Sequence, residues 1–346
     1  MSMTVTFGIK EPKTFMTVNS AFNHFLTAHV RLDQKQTEYA KSSSNWLKGQ
    51  IRSIAIKIDD FPFLWDEFDL EFGSFARKTK IVTVDDIDLM IGLHAQGCTY
   101  APMLQGNNRY QICTTPGSRL DLFASNSVLN SRKIINKFVK ELGLVPQYQQ
   151  ADIKRTLQAA TLKLKSYDWN FDIVPCFYTS EEMITGRCYY LIPDGDGNWM
   201  KTDPRIEQNF IMNLNRFHGG VVLDVVRLIK YWNRRPTMPS IPSYMLECLA
   251  LGYFNEIQRI DYGLPYHFTA ALHYIRDKVM GSIPDPKGIE GDINKLEFVD
   301  RLKIHDRVVQ DASRALSALT DESNGNSRNS ISTWRLVFGD NFPKYG

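Results

Sequence analysis

The chain has 346 residues, of which 43% are apolar, and its 41 basic and 38 acidic side chains give a formal net charge of +3. This length and composition support one large domain or two moderate ones with buried cores, and exclude a disordered or fibrous protein. The near balance of charge argues against a general polyanion-binding surface, so any contact with nucleic acid or nucleotide must be local.

Cysteine usage and the N-terminus bear on the cellular compartment. The five cysteines are odd in number and form no C-x-x-C pair, which argues against a disulfide framework and a zinc ribbon. Residues 1–15 lack the basic-then-apolar pattern of a signal peptide, and no apolar run approaches the roughly 18 residues that a membrane span needs. We therefore expect a cytoplasmic protein that has no membrane partner.

The first 204 residues mix helices and short strands. Apolar residues at helical spacing predict one or two helices over 19–58, and a linker and strand over 61–72 lead into Gly73-Ser74. Another helix is predicted over 127–142. Strands are predicted over 87–93, over 156–164 and around Asp172, where Pro175 should end the strand.

After Pro204 the apolar pattern becomes helical throughout. Helices are predicted over 206–217, 220–233, 243–257, 265–280 and 294–319. The polar stretch 321–330 is predicted to be a mobile loop. We place a domain boundary at this change, with a mixed core and its N-terminal helices over 1–204 and a helical domain over 205–346.

Two aspartates indicate the chemistry of the first domain. Asp86 and Asp88 alternate with Ile87 and Leu89, so on a strand both carboxylates project from one face while the apolar neighbours face the core. Close carboxylates repel each other unless a cation lies between them, and carboxylate oxygens together with phosphate oxygens suit Mg²⁺. This pattern predicts a divalent-metal site.

Other residues extend this site. Asp172, in a short apolar strand, is the candidate third carboxylate that permits a second ion, and two ions can activate a hydroxyl and neutralise a leaving pyrophosphate. Gly73 at a strand-to-helix corner lets backbone N–H groups approach a phosphate, and with Ser74 it would hold a triphosphate. Arg77 and Lys78 either add positive charge there or lie on solvated surface.

Each feature alone has an ordinary explanation. Gly-Ser pairs are common in turns, and two alternating aspartates can form the exposed face of an antiparallel sheet. The functional interpretation depends on the combination: the pair, the eleven residues 75–85 that separate it from Asp86, and the later isolated Asp172.

This combination resembles the signature of the DNA polymerase β-like nucleotidyltransferase superfamily. The segment "GSFARKTKIVTVDDIDLM" is more similar to the bacterial cGAS/DncV-like nucleotidyltransferases, the second-messenger oligonucleotide synthases of anti-phage defence. The resemblance covers nearly the whole chain, up to "WRLVFGDNFP". It implies an α+β fold with two lobes: a polymerase β-like core with a mixed sheet, and a helical C-terminal lobe that closes the active-site cleft.

The resemblance also assigns roles to the residues of the core. Asp86, Asp88 and Asp172 would be the catalytic carboxylates and would bind two Mg²⁺ ions, for which Mn²⁺ is the substitute. Ser74, beside Gly73, would contact the triphosphate.

In the helical half, "RLIKYWNRR" and "PSYMLECL" resemble the K-x-W-N and S-Y-x-L-E segments of the family. The resemblance implies that Lys230 and Ser243 contact donor phosphates and that Tyr244 stacks on a nucleobase. From the residues alone, Lys230 is equally an ordinary lysine that reaches solvent from an apolar helix face, and Tyr244 a core tyrosine.

The implied reaction makes a cyclic di- or trinucleotide from ribonucleoside triphosphates, with release of pyrophosphate. ATP and GTP are the candidate substrates, the product would act on a downstream effector, and a regulatory protein partner is left open. The sequence has no His/Cys insertion of the kind that forms the zinc thumb of animal cyclic GMP-AMP synthases, which argues against DNA binding through such a thumb. The alternatives are a linear oligoadenylate synthase or RNA-tailing enzyme, and a catalytically silent nucleotide sensor.

Two other features have simpler interpretations. The segment "DGDGN" at 194–198 lacks the Gly and Glu positions of a calcium-binding EF-hand and is predicted to be a turn. Asp203 before Pro204 is predicted to cap a helix N-terminus.

Overall fold

The computed structural model describes residues 17–104 and 108–346, so residues 1–15, searched above for a signal pattern, lie outside the described residues. Contacts divide the described chain into two compact units. The sheet unit comprises Arg31–Leu223 and Gly281–Lys295, and the helical unit comprises residues 17–30, Asp224–Met280 and Leu296–Gly346. No helix in the described ranges combines the length and hydropathy of a membrane span.

The described part of the sheet unit contains eleven strands and four α-helices. The strands are β1 (Leu70–Phe72), β2 (Asp86–Gly92), β3 (Thr99–Pro102), β4 (Tyr110–Cys113), β5 (Ala124–Ser125), β6 (Val128–Leu129), β7 (Asp152–Thr156), β8 (Ala159–Lys163), β9 (Asn170–Tyr178), β10 (Tyr190–Pro193) and β11 (Trp199–Thr202). The helices are α2 (Gln34–Lys57), α3 (Gly73–Ala76), α4 (Ser131–Leu142) and α5 (Pro204–Phe217).

The strands form one mixed sheet. The main order is β1-β2-β9-β10-β11-β4-β6-β5, with β8 paired to β9, β7 to β8, and β3 to β4. The pair β2–β9 is parallel and the other pairs are antiparallel. The α+β fold class with a mixed sheet is therefore confirmed.

One face of the central strands packs on the main core of the sheet unit. Ile87 and Leu89 of β2 and Ile173 of β9 join a buried cluster that includes Ile51 of α2 and Phe138 of α4. Because side chains alternate along a strand, this burial turns Asp86, Asp88 and Asp172 to the opposite face.

The described helical unit contains α1 (Val18–Phe25), α6 (Val222–Asn233), α7 (Ser243–Glu256), α8 (Leu264–Lys278), α9 (Phe298–Ser323) and α10 (Ser327–Phe338), α6 starting two residues before the boundary of the unit. Large aromatic rings fill its core. The Phe22 ring lies 4.9 Å from that of Trp334, and the Phe268 ring lies 4.7 Å from that of Phe338. Such buried aromatic pairs explain why an N-terminal helix belongs to this unit.

The division by contacts differs from the predicted boundary between 204 and 205. Helix α5 and residues Gly281–Lys295 belong to the sheet unit, whereas residues 17–30 belong to the helical unit. The reason is tertiary: Gln208 of α5 donates to the Glu71 carbonyl of β1 at 2.7 Å, and Glu207 pairs with Lys287 at 2.8 Å.

The predicted strand 156–164 corresponds to β8, which starts at Ala159 because Leu157 adopts a φ of 47° in the turn that joins it to β7. Two local predictions are wrong. Pro175 does not end β9. On one edge of β9, β8 pairs as far as Ile173 and β10 pairs from Phe177, so Pro175 falls in the gap between the two paired segments, where its missing N–H is not needed. The predicted loop 321–330 is largely helical, with Asn326 capping α10.

Candidate active site

The register of the central strands brings two of the predicted aspartates together. Along the parallel pair β2–β9, Asp88 lies opposite Asp172 and Asp86 lies opposite Asn170. All three aspartates are at least partly accessible, while Ile87, between the first two, is buried. The strand alternation expected from the sequence is therefore present. The pairing of β2 with β9 brings together Asp88 and Asp172, which are 84 residues apart in the chain.

The Asp88 carboxyl is poorly compensated in its surroundings. Burial, and to a smaller extent the neighbouring Asp172 carboxylate, raise the pKa of Asp88 from 3.8 to about 6, against the weaker opposing effects of Lys80 and Arg77. Asp172 Oδ1 accepts a hydrogen bond of 2.6 Å from the Thr161 hydroxyl. The pair consequently carries more negative charge than its protein neighbours offset, which favours a bound cation.

The raised pKa predicts a pH-dependent stability that Asp88→Asn removes. In protein treated with EDTA, the folded state should lose stability as the pH rises from the ordinary pKa of 3.8 to about 6, because the unfolded Asp88 ionises first. The loss is up to roughly 3 kcal/mol, at about 1.4 kcal/mol per pKa unit. Urea unfolding between pH 4 and pH 7.5 measures it: the stability of Asp88→Asn relative to wild type should increase over this interval. A constant difference would contradict the prediction.

Gly73 lies where strand β1 meets the short helix α3. Its φ is +70°, and a Cβ placed on it would lie 1.8 Å from Asp88 Oδ2. The sequence suggested that glycine lets the backbone approach a phosphate; the structure shows that it also gives the Asp88 carboxylate its space. A side chain here would displace the carboxylate.

Ser74 follows in the first turn of α3, as expected for a strand-to-helix corner. Its carbonyl accepts the N–H groups of Thr79, at 2.9 Å, and Lys80, at 3.1 Å, which closes the turn. The segment from Gly73 to Lys80 therefore returns to the carboxylates as a compact loop.

The third predicted carboxylate, that of Asp86, has a cationic partner in this structure. The Asp86 carboxylate pairs with Lys80 Nζ, which also pairs with Asp85. Within residues 17–104 and 108–346, no three His, Cys, Asp or Glu side chains are grouped to hold a metal ion. The ammonium group of Lys80 thus neutralises Asp86, while Asp88 and Asp172 face each other.

The sequence analysis did not predict the role of Lys80. Its side chain is 11% exposed, between the buried residues Thr79 and Ile81. The signal available in the sequence was a lysine five residues before the acidic pair Asp85-Asp86, because a lysine that becomes buried needs an anionic partner.

The other three predicted nucleotide-binding residues belong to the helical unit. Lys230 is buried, with Nζ 2.7 Å from Oε1 of the buried Glu247, so it is neither at the surface nor without a charge partner. Ser243 is the first residue of α7, after Pro242, and Tyr244 is half-buried. The contacts of these residues with phosphates and base stay predictions.

The simpler interpretations from the sequence are confirmed. Asp203 caps α5, accepting the Arg205 N–H at 3.2 Å, and its carboxylate also pairs with the Arg205 side chain. The segment 194–198 is the turn between β10 and β11, in which Asp194 accepts the N–H groups of Asp196 and Asn198.

No family model matches the chain. A probable cyclic nucleotide synthase of Bacillus cereus (strain VD146) is 38% identical over 333 residues, which are 95% of this chain and 98% of that protein. This chain belongs to the bacterial cGAS/DncV-like nucleotidyltransferases. Membership of this family makes the chain a nucleotidyltransferase, and the family includes cyclic nucleotide synthases.

Three further proteins and structures are similar to this chain at lower identity. The cyclic AMP-AMP-AMP synthase of Acinetobacter sp. (strain ATCC 27244 / 9458) is 26% identical over 205 residues, which are 56% of each chain. Two solved structures of CdnC from E. coli MS115-1, one with ATP and one in complex with HORMA-deltaN, align with TM-scores of 0.66 and 0.67. Each covers 94% of this chain and 98% of that chain, at 17% and 16% identity, so this likeness shows the shared fold.

Proposed function

We propose that this nucleotidyltransferase makes a cyclic di- or trinucleotide from ribonucleoside triphosphates, releasing pyrophosphate, and acts in anti-phage signalling in the bacterial cytoplasm. The main support from the structure is the register that sets Asp88 beside Asp172, next to the Gly73-Ser74 turn. The name of the Acinetobacter relative supports a three-membered ring containing AMP.

The donor set fits Mg²⁺. Asp86, Asp88 and Asp172 offer only carboxylate oxygens, the ligands that a hard divalent cation prefers, and the charge around Asp88 is incompletely offset. Asp86 and Asp88 would hold both ions, and Asp172 would hold one of them. Bound Mg²⁺ would lower the pKa of an attacking ribose hydroxyl and neutralise a leaving pyrophosphate.

The protein residues would have separate tasks in this reaction. Ser74, on the short turn beside Asp88, would contact the triphosphate and so fix the α-phosphate near the carboxylates. The Thr161 hydroxyl, which donates to Asp172, would keep that carboxylate oriented toward Asp88. Holding the reactants in an attacking geometry accounts for a large part of the rate enhancement in such reactions.

The reaction can be tested directly. Purified protein incubated with the four ribonucleotides and Mg²⁺ should yield an oligonucleotide whose mass identifies a ring, together with pyrophosphate. Because a ring has no terminal phosphate, the product should resist phosphatase. A linear product, or no product with Mg²⁺ or Mn²⁺, would contradict the proposal. The CdnC complex with HORMA-deltaN supports repeating a negative assay with a candidate regulatory protein before this conclusion is drawn.

Lys80→Met provides a separate test of the metal site. Lys80 neutralises Asp86 in this structure, so a divalent cation must compete with its ammonium group for that carboxylate. Removing the ammonium should lower the Mg²⁺ concentration that gives a half-maximal thermal shift by about tenfold, which corresponds to about 1.4 kcal/mol. The variant should also melt at a lower temperature than wild type in EDTA.

Lys154→Met is the matched control for this measurement, because Lys154 pairs with the exposed Asp152 on β7 and should leave the Mg²⁺ titration unchanged. An unaltered titration for Lys80→Met would show that Lys80 does not compete for the site.

A further inference from the structure

A buried row of alternating charges lies behind the Gly73-Ser74 turn. Arg77 NH1 is 2.9 Å from Glu207 Oε2, Lys287 Nζ is 2.8 Å from Glu207 Oε1, and Lys287 Nζ is 3.2 Å from Asp285 Oδ1. These side chains are between 0% and 10% exposed. A charge at this depth is stable only with its partners, because removing one of them leaves the other buried and uncompensated.

The first member of the row is part of the candidate active site. Arg77 ends α3, and its N–H donates to the Gly73 carbonyl at 3.1 Å. Gly73 in turn lies against the Asp88 carboxylate, since a Cβ on it would be 1.8 Å from Asp88 Oδ2. The position of Arg77 therefore affects both the turn and the acidic pair.

Helix α5 holds this segment at both ends. Glu207 in its first turn fixes the Arg77 side chain, and the next residue, Gln208, donates to the Glu71 carbonyl of β1 at 2.7 Å. The two bonds bracket the turn that contains Gly73 and Ser74. Because α5 is capped by Asp203 and starts with Pro204, its first turn is a rigid support.

The other end of the row is fixed by a tight loop. The Asp285 carboxylate accepts backbone N–H groups from Lys287, Ile289 and Glu290 at 3.0–3.2 Å. These bonds fix the backbone of the loop that carries Lys287. The buried Lys287 side chain extends from this loop to Glu207. The orientation of Glu207 is consequently determined by residues 285–290, about 80 positions further along the chain.

We propose that Glu207 is a positioning residue for the triphosphate: buttressed by Lys287, it holds Arg77 where the guanidinium supports the Gly73-Ser74 turn and faces the phosphates. This inference rests on the function proposed above and extends it to residues that lie outside the acidic motif. Glu207 itself would touch neither substrate nor metal. It would act through Arg77 alone.

A double-mutant cycle tests this route. Glu207→Gln and Arg77→Gln should each raise KM for the nucleoside triphosphate by about ten- to a hundredfold, the range found when an outer-shell partner is lost. The double variant should be no worse in KM than Arg77→Gln, since the effect of Glu207 passes through that residue. Pyrophosphate release gives KM and kcat, measured well below the melting temperature of each variant.

Glu290→Gln is the matched control. It makes the same chemical change next to the same lysine, but Glu290 is 39% exposed and 3.7 Å from Lys287 Nζ, so KM should stay within about twofold of wild type. A purely structural role for Glu207 would lower the melting temperature and leave KM unchanged. That result, or additive effects on KM in the double variant, would overturn the proposal.

Two further measurements test the role of Glu207 if the first variant does not fold or the wild type shows no turnover. If Glu207→Gln does not fold, Lys287→Met replaces it in the cycle, since it loosens Glu207 while retaining both Glu207 and Arg77. If the wild type releases no pyrophosphate, the proposed function fails, but the Kd of the Mg²⁺ complex of a non-hydrolysable triphosphate still decides the role of Glu207. Equal Kd values for wild type and Glu207→Gln would then refute the positioning role.

Discussion

The double variant Asp86→Ala, Asp88→Ala should synthesise no detectable nucleotide product, while its fold is retained and its stability in EDTA equals or exceeds that of wild type. Synthesis should fall at least about a thousandfold, which corresponds to about 4 kcal/mol of transition-state stabilisation. The stability should not fall, because the variant relieves the burial of the Asp88 carboxylate and its repulsion by Asp172, while Lys80 keeps Asp85 as an ion-pair partner. Product mass spectrometry and thermal melting measure the two effects.

Asp152→Ala is the control for this variant, since Asp152 is an exposed carboxylate of the same unit that pairs with Lys154. It should retain wild-type synthesis. Product from the double variant would contradict the assignment of these residues to catalysis. A melting temperature well below that of wild type in EDTA would contradict the expected relief of electrostatic repulsion.

Gly73→Ala should have the second large effect. The new Cβ would lie 1.8 Å from Asp88 Oδ2, and alanine at a φ of +70° is itself strained. We expect a loss of stability of about 1–3 kcal/mol from the backbone strain and the displaced carboxylate. Synthesis should fall by about a hundredfold, because a shift of about 1 Å in a reacting group has this effect on rate. Urea unfolding and the rate of pyrophosphate release measure both.

Gly49→Ala is the matched control, because a Cβ at Gly49 on helix α2 meets nothing within 4 Å. It should stabilise the protein by about 0.5–1 kcal/mol, the preference of a helix for alanine over glycine. Combining Gly73→Ala with Asp88→Ala separates the contact from the strain. If the stability loss of Gly73→Ala is the same with and without the Asp88 side chain, the close approach to that carboxylate is not its cause.

The sequence predicted the helices well because helical periodicity is a local property. Helices α5, α6, α7 and α8 lie within a few residues of their predicted ranges, and the long α9 ends four residues beyond its predicted range. Short strands were predicted less well, since pairing partners decide where a strand ends. Pro175 is the example. A proline ends a strand in most settings, but here it falls in the gap between the part of β9 that pairs with β8 and the part that pairs with β10.

Within the candidate site, local pattern predicted the acidic face and the glycine corner. The alternation of Asp86 and Asp88 with buried residues requires only a strand, and Gly73-Ser74 requires only a strand-to-helix turn. The apolar strand around Asp172 marked it as the candidate third carboxylate, but no local pattern places it next to the other two aspartates. The structure supplies that connection through a parallel pairing across 84 residues.

The sequence by itself determined the fold class and the family, through the resemblance that its motifs carry, and residue type and spacing along the chain predicted the chemical type of the site. Only the tertiary structure decided which charges meet: Lys80 with Asp86, Asp88 with Asp172, and Glu207 with both Arg77 and Lys287. The physical reason is that the pKa and the partner of an ionisable group depend on burial and on neighbours brought close by folding.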